Sequence, residues 1–294
     1  MNIEDFLKYL KNEKRYSKHT IKSYETDLCQ FRDFVLFKED IDIHELNYEN
    51  IRHWMVNLKE KGYTSISINR KLSSLKSFVK YFQKQNETFD DPFKKIINPK
   101  NNKRLPTFIQ ERRMNQLESM SIYTEDFSGE RDRFIVELFY NTGMRLSELL
   151  NLRHKDIDIS SGVIKVLGKR NKERIIPLNN YTINIYKVYI EKKKEMKFEC
   201  GNESYLIVTD KGRKLYEKII YRKVVYYLGK ITGQEKKSPH ILRHTFATHM
   251  LNNGADLNAI KELLGHTSLS ATQVYTHNTF KKLKGIYKQA HPRA

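Results

Sequence analysis

The chain has 294 residues, of which 39% are hydrophobic and 30% charged, with a formal net charge of +19 and two cysteines. Its length suits about two domains at roughly 150 residues each, and its apolar share suits packed cores rather than a solvated, disordered chain. A disulfide framework, a membrane span and a secretory signal are excluded by the lone Cys29 and Cys200, by the lack of any apolar run near ~18 residues, and by an acidic amphipathic start. A cytoplasmic protein is the default expectation.

The first hundred residues predict helices alone. Ile3, Phe6, Leu7 and Leu10 repeat at helical spacing. Ile21, Tyr24, Leu28, Phe31 and Val35 form a second stripe, and Ile51, Trp54, Met55 and Leu58 a third that Gly62 would stop. Ile68, Leu72, Leu75, Phe78, Val79 and Phe82 make a fourth. Four amphipathic helices with short turns make a small bundle, with Cys29 as a small core residue. The stretch NPKNNKRLPTF from Asn98 to Phe108 is rich in asparagine, proline and basic residues and predicts a linker. Residues 128–152 then predict helix, interrupted near Thr142-Gly143. Gly162–Leu178 holds two β-rich runs around GKRNKER, a hairpin with a basic tip. Tyr205–Thr209 predicts a short strand, and the pattern from Leu215 onward is helical again.

Both halves are basic, +6 over residues 1–104 and +13 over 105–294. A basic folded surface points to a polyanion, nucleic acid being the commonest; a merely lysine-rich composition is the other reading. Several polar residues stand outside the helical patterns. Arg145 follows the Thr-Gly turn at a helix start, and Glu148, three residues on, can steady its guanidinium. His240 and Arg243 are also three apart on one helical face. Lys169 sits in the hairpin, and Gly265-His266 precedes Tyr275 by nine residues. Taken singly, each has a structural explanation: a surface ion pair, a solvated tip, a helix-start cap, a half-buried ring.

Together, in the segments TGMRLSEL, GKRNKER, HILRH, LGH and VYTH, they resemble the tyrosine recombinase (phage integrase) family, Xer type (XerC/XerD-like). The resemblance covers nearly the whole chain. It departs at Arg170, where Xer proteins usually carry glycine after the hairpin lysine. It implies a multidomain fold: an all-α, SAM-like core-binding bundle over 1–97, a linker over 98–107, and a mixed α+β catalytic domain over 108–294. That domain would be mainly helical with a small β-hairpin, ending in a C-terminal docking helix.

The implied catalytic set is Arg145, Lys169, His240, Arg243, His266 and Tyr275, with Tyr275 as nucleophile. Planar, permanently charged guanidiniums suit the non-bridging oxygens of a pentacoordinate phosphate. By resemblance, His240 and His266 add hydrogen bonds, His240 takes the tyrosine proton, and Lys169 protonates the leaving 5′-oxygen. A 3′-phosphotyrosyl link would keep the bond energy for rejoining. No cofactor and no metal is expected. The implied function is site-specific DNA recombination that resolves chromosome dimers, with a role in chromosome partition at cell division. Alternatives are a mobile-element integrase or excisionase, a type IB topoisomerase-like enzyme, or a non-catalytic DNA-binding protein; binding alone does not require all six groups. The implied partners are a double-stranded recombination site clamped between the two domains, a homo- or hetero-tetramer, and an FtsK-like DNA translocase, without membrane insertion. The final stripe of Phe280, Leu283, Ile286 and Tyr287 needs a partner surface. The resemblance suggests that it docks on a neighbouring protomer rather than on its own domain.

Overall fold

The computed structural model describes residues 3–38, 45–84, 90–100, 107–118, 122–168, 172–265 and 277–293. Its contacts divide the chain into two units, Met1–Arg104 and Leu105–Ala294.

The first unit is built from α1 (Ile3–Asn12), α2 (Lys18–Lys38), α3 (Tyr48–Glu60) and α4 (Ser65–Gln83). Its helix starts are written in local chemistry. The Asn47 side chain accepts the Glu49 and Asn50 N–H groups while Asn50 accepts the Asn47 N–H, and Thr64 accepts from Ser67. Phe6, Leu28, Phe31, Trp54, Leu72, Leu75 and Phe78 form the core, with the Phe31 and Trp54 rings edge to face at 4.9 Å. Cys29 is partly buried against this cluster. A buried ion pair lies within: Asp27 accepts from buried Lys71 and from Ser74 at 3.0 and 2.9 Å, and also from Arg70. Pro99 joins this unit through a hydrogen bond from Asn69 Nδ2 to its carbonyl; residues 101–106 of the expected linker lie outside the described residues.

The second unit is organised around α6 (Phe127–Thr142), which follows the short α5 (Glu111–Asn115). Every α6 residue from Gly129 to Thr142 is buried, so its charged side chains require partners inside. Arg131 bridges to Asp132 and Asp210, Lys223 pairs with Asp132, and Arg293 pairs with Glu137. After α7 (Leu146–Asn151), three antiparallel strands run in the order β1 (Ile157–Asp158), β2 (Val163–Leu167) and β3 (Glu173–Pro177). Ile164 opposes Ile176 and Leu167 opposes Glu173, so the predicted hairpin forms. The helices α8 (Asn180–Glu195), α9 (Glu217–Ile231), α10 (Pro239–Asn252), α11 (Leu257–Leu264) and α12 (His277–Ala290) complete the unit.

One expectation needs correction. Tyr205–Thr209 is not a strand. Leu206 N–H bonds the Leu152 carbonyl and Thr209 N–H the Arg213 carbonyl, leaving isolated bridges at Tyr205 and Val208. Apolar Leu206, Ile207 and Val208 are buried, which explains a strand-like sequence without a ladder. The stripe on α12 is covered within its own unit: Leu283, Tyr287 and Ala290 are buried in the same core as α10 and α11. The Tyr287 hydroxyl donates to the Asn141 carbonyl and Asn253 Nδ2 to the Ala290 carbonyl. In the single chain these residues pack in cis, while the expected docking on a neighbouring protomer concerns an assembly; the Phe280 side chain lies outside the described residues.

Candidate active site

The site grows from a forced turn. The left-handed Gly143 ends α6 at φ +59°, and a Cβ there would lie 2.6 Å from both Leu264 Cδ2 and Phe246 Cδ1. Only glycine admits both the backbone geometry and this approach. The turn delivers Arg145 to the N-cap of α7, where its backbone N–H donates to Glu148 Oε2 at 2.7 Å and its Nη1 to Oε1 at 2.8 Å. Glu148 therefore steadies Arg145 from the same helix face.

A second guanidinium reaches the same carboxylate from β3. Arg174 donates Nη1 and Nη2 to the two oxygens of Glu148, each at 2.8 Å. Burial opposes ionisation of Glu148. The Arg174 hydrogen bonds and charge, followed by the backbone and side-chain hydrogen bonds from Arg145, outweigh it and hold the carboxyl below its usual value. Arg243, on α10, donates to the Gly143 carbonyl at 2.7 Å. Its pKa is pushed down to about 10 by burial first, then by Arg145 and Arg174, with Glu148 opposing.

The three arginines meet again at the end of α11. Arg174 Nε donates to the Leu263 carbonyl at 2.7 Å, Arg243 Nη2 to Leu264 at 2.7 Å, and Arg145 Nη2 to Gly265 at 3.1 Å. Three consecutive carbonyls that the helix leaves without intrahelical donors, at the negative end of its dipole, thus take one cation each. Three guanidiniums nonetheless crowd a single carboxylate, so an anion entering here relieves repulsion. The Arg145 side chain is 31% exposed beside a Glu148 that is 2% exposed, which leaves the arginine open to such an anion.

Of the six residues singled out in the sequence, Arg145 and Arg243 therefore come together. His240 is exposed in the first turn of α10, one turn before Arg243. Lys169, His266 and Tyr275 lie outside the described residues, as does Arg170. Their flanks are described. Gly168, before Lys169, is close enough that a Cβ would lie 3.6 Å from Arg174 Nη1 and Glu148 Oε1. Gly265, before His266, is left-handed at φ +66° and presses on Arg174. Arg174 itself was hidden within the basic run GKRNKER. Its signal is alternation: it shares a strand face with buried Ile176.

Several histidines serve packing instead. His249 is buried between the Tyr140 hydroxyl and the Ile109 carbonyl, and His291 stacks on Tyr287. No helix among the described residues is long and apolar enough to cross a membrane.

A helical unit joined to a mainly helical unit with a small sheet, and two arginines converging beside one buried carboxylate, match the class of DNA strand-transferring recombinases. Residues 107–282 match the phage integrase family and residues 3–86 its N-terminal SAM-like domain. The chain is 40% identical to the tyrosine recombinase XerC of Staphylococcus carnosus (strain TM300), over 99% of this chain and 97% of that one. It is 36% identical to XerC of Chlorobaculum parvum (strain DSM 263 / NCIMB 8327), over 99% and 94%. A crystal structure of the XerH site-specific recombinase bound to its difH substrate, before cleavage, is 25% identical, with a TM-score of 0.71 over 96% of this chain and 82% of that one. The chain belongs to the phage integrase family of tyrosine recombinases, and it is a site-specific recombinase.

Proposed function

We propose that the enzyme cleaves and rejoins double-stranded DNA through a 3′-phosphotyrosyl link formed by Tyr275. The observation that carries this reading is the convergence of Arg145 and Arg243 at the end of α11, from which the chain runs on through His266 to Tyr275. Arg145 and Arg243 neutralise the non-bridging oxygens as charge develops on phosphorus. His240 and His266 add hydrogen bonds, and His240 accepts the tyrosine proton. Tyr275 Oη attacks phosphorus, the bond to the 5′-oxygen breaks, and Lys169 protonates that oxygen as it leaves. Attack by a 5′-hydroxyl reverses the steps and restores the phosphodiester without an external energy source.

In this reading residues 1–97 are the core-binding domain and 108–294 the catalytic domain, joined by 98–107, and both contact the recombination site. The enzyme works in the cytoplasm as a homo- or hetero-tetramer that resolves chromosome dimers, under an FtsK-like translocase. The XerC naming of its relatives supports the chromosomal role, and the XerH complex with difH supports a DNA recombination site as substrate.

The test is covalent trapping on a nicked recombination site. The wild-type enzyme is expected to give a protein–DNA adduct, and Tyr275→Phe to bind the site normally and give none. An adduct with the Phe variant would remove Tyr275 from its role.

A further inference from the structure

We propose that Arg174 is a positioning residue for strand cleavage: it sets Arg145 through Glu148 and fixes the end of α11 that leads to the nucleophile. The proposal rests on the reading in which Arg145 holds the scissile phosphate. Arg174 is buried, with 4% of its side chain exposed, so a direct contact with DNA is not its part.

Its guanidinium reaches two segments at once. Nη1 and Nη2 donate to the two oxygens of Glu148 at 2.8 Å each, and Nε to the Leu263 carbonyl at 2.7 Å. The same two carboxylate oxygens accept the Arg145 side chain and backbone N–H. The rotation of Glu148 about its side-chain bonds is therefore set by a bidentate fork from one arginine, and it sets the guanidinium of the other. Without Arg174, Glu148 remains buried with Arg145 as its one remaining cation at hydrogen-bond distance among the described residues, free to turn and draw that guanidinium inward. Leu263 would also lose its donor.

Close packing points the same way. A Cβ on Gly265 would lie 3.1 Å from Arg174 Cδ and Nη1, so the arginine lies against the backbone from which His266 and Tyr275 follow. Gly168, next to Lys169, lies on its other side. One side chain thus ties the approach to the general acid, the phosphate-holding arginine and the approach to the nucleophile. A lysine cannot replace it, because a single ammonium lacks the planar fork that spans both Glu148 oxygens and a carbonyl.

The experiment measures single-turnover adduct formation by the full chain on a nicked site, with DNA affinity and melting curves alongside. Arg174→Ala is expected to lose roughly 100-fold in adduct rate, the order of effect that a misplacement of about 1 Å brings, with affinity held within about threefold. Arg174→Lys is expected to lose at least about tenfold. Added guanidinium ion is expected to restore part of the rate to Arg174→Ala and none to Arg174→Lys, whose side chain fills the space. If Arg174→Ala fails to fold, Arg174→Lys carries the test. Combining Arg174→Lys with Arg145→Lys is expected to add less than about threefold to the loss from Arg145→Lys alone, because both act on one guanidinium. A folded Arg174→Lys that cleaves within twofold of wild type, or losses that multiply in the double variant, would overturn the proposal. Arg145→Lys cleaving at the wild-type rate would instead sink the phosphate-holding reading, a separate outcome.

Discussion

At the scale of single residues, polar groups in this protein divide by what their surroundings permit. Lys169 carries the prediction for the leaving group. A sulfur in place of the bridging 5′-oxygen leaves more readily and needs less protonation. Lys169→Ala is expected to cleave ordinary DNA poorly and the sulfur-bridged substrate near the wild-type rate, while Arg145 and Arg243 variants gain nothing. Sulfur failing to rescue Lys169→Ala would give the acid role to another group. His291 illustrates the opposite case. It is buried, stacked on Tyr287 at 5.0 Å, and burial pushes its pKa down to about 3 from an ordinary 6.5. Below pH 6.5 the unfolded chain takes up a proton that the folded chain refuses. Stability is therefore complete above that pH and falls toward pH 3, by about 1.4 kcal/mol per pH unit from this group. His291→Phe is expected to flatten the melting temperature between pH 6 and 4 relative to wild type; parallel curves would contradict it. Arg145 and Arg243 were legible in the sequence because each broke a helical stripe. Arg174 was not, since a basic residue inside a basic run looks solvated until the strand phase is applied.

Helices were legible wherever one face is apolar and the other polar, as in α3, whose buried Ile51, Trp54 and Leu58 follow the spacing closely. The pattern misled at Tyr205–Thr209, where burial comes from neighbouring helices rather than from a sheet. It also left open which surface α12 covers, because amphipathic spacing states that a face is buried and not by whom. Cis packing now changes the expected outcome of truncation. A chain ending after Asn278 loses buried Leu283, Tyr287 and Ala290, together with Arg293, which is 3% exposed and paired with Glu118 and Glu137. Removing a single buried leucine side chain costs about 2–5 kcal/mol. The truncated chain is therefore expected to melt more than about 10 °C below the full chain, at roughly 2–4 °C per kcal/mol for a protein of this size. Unchanged melting with lost cooperative assembly on two-site DNA would instead favour docking of this helix on a neighbour.

The whole molecule carries +19 on 294 residues, spread over both halves. If that charge serves DNA, each neutralised phosphate releases counterions and steepens the salt dependence by about 0.9 in log–log slope. A titration of site affinity against salt is expected to give a slope equivalent to several phosphates, and a slope near zero would leave the charge as composition alone. Chain length is similarly unequal in its consequences along the molecule. An α-helix turns about 100° per residue, and the carbonyls of Leu263, Leu264 and Gly265 each face a different arginine. One residue inserted into or deleted from α11 would swing all three out of register together. The stretch from Leu257 to Gly265 therefore works as a fixed ruler: a residue added within it costs all three contacts at once, whereas one added in a surface turn leaves them in place.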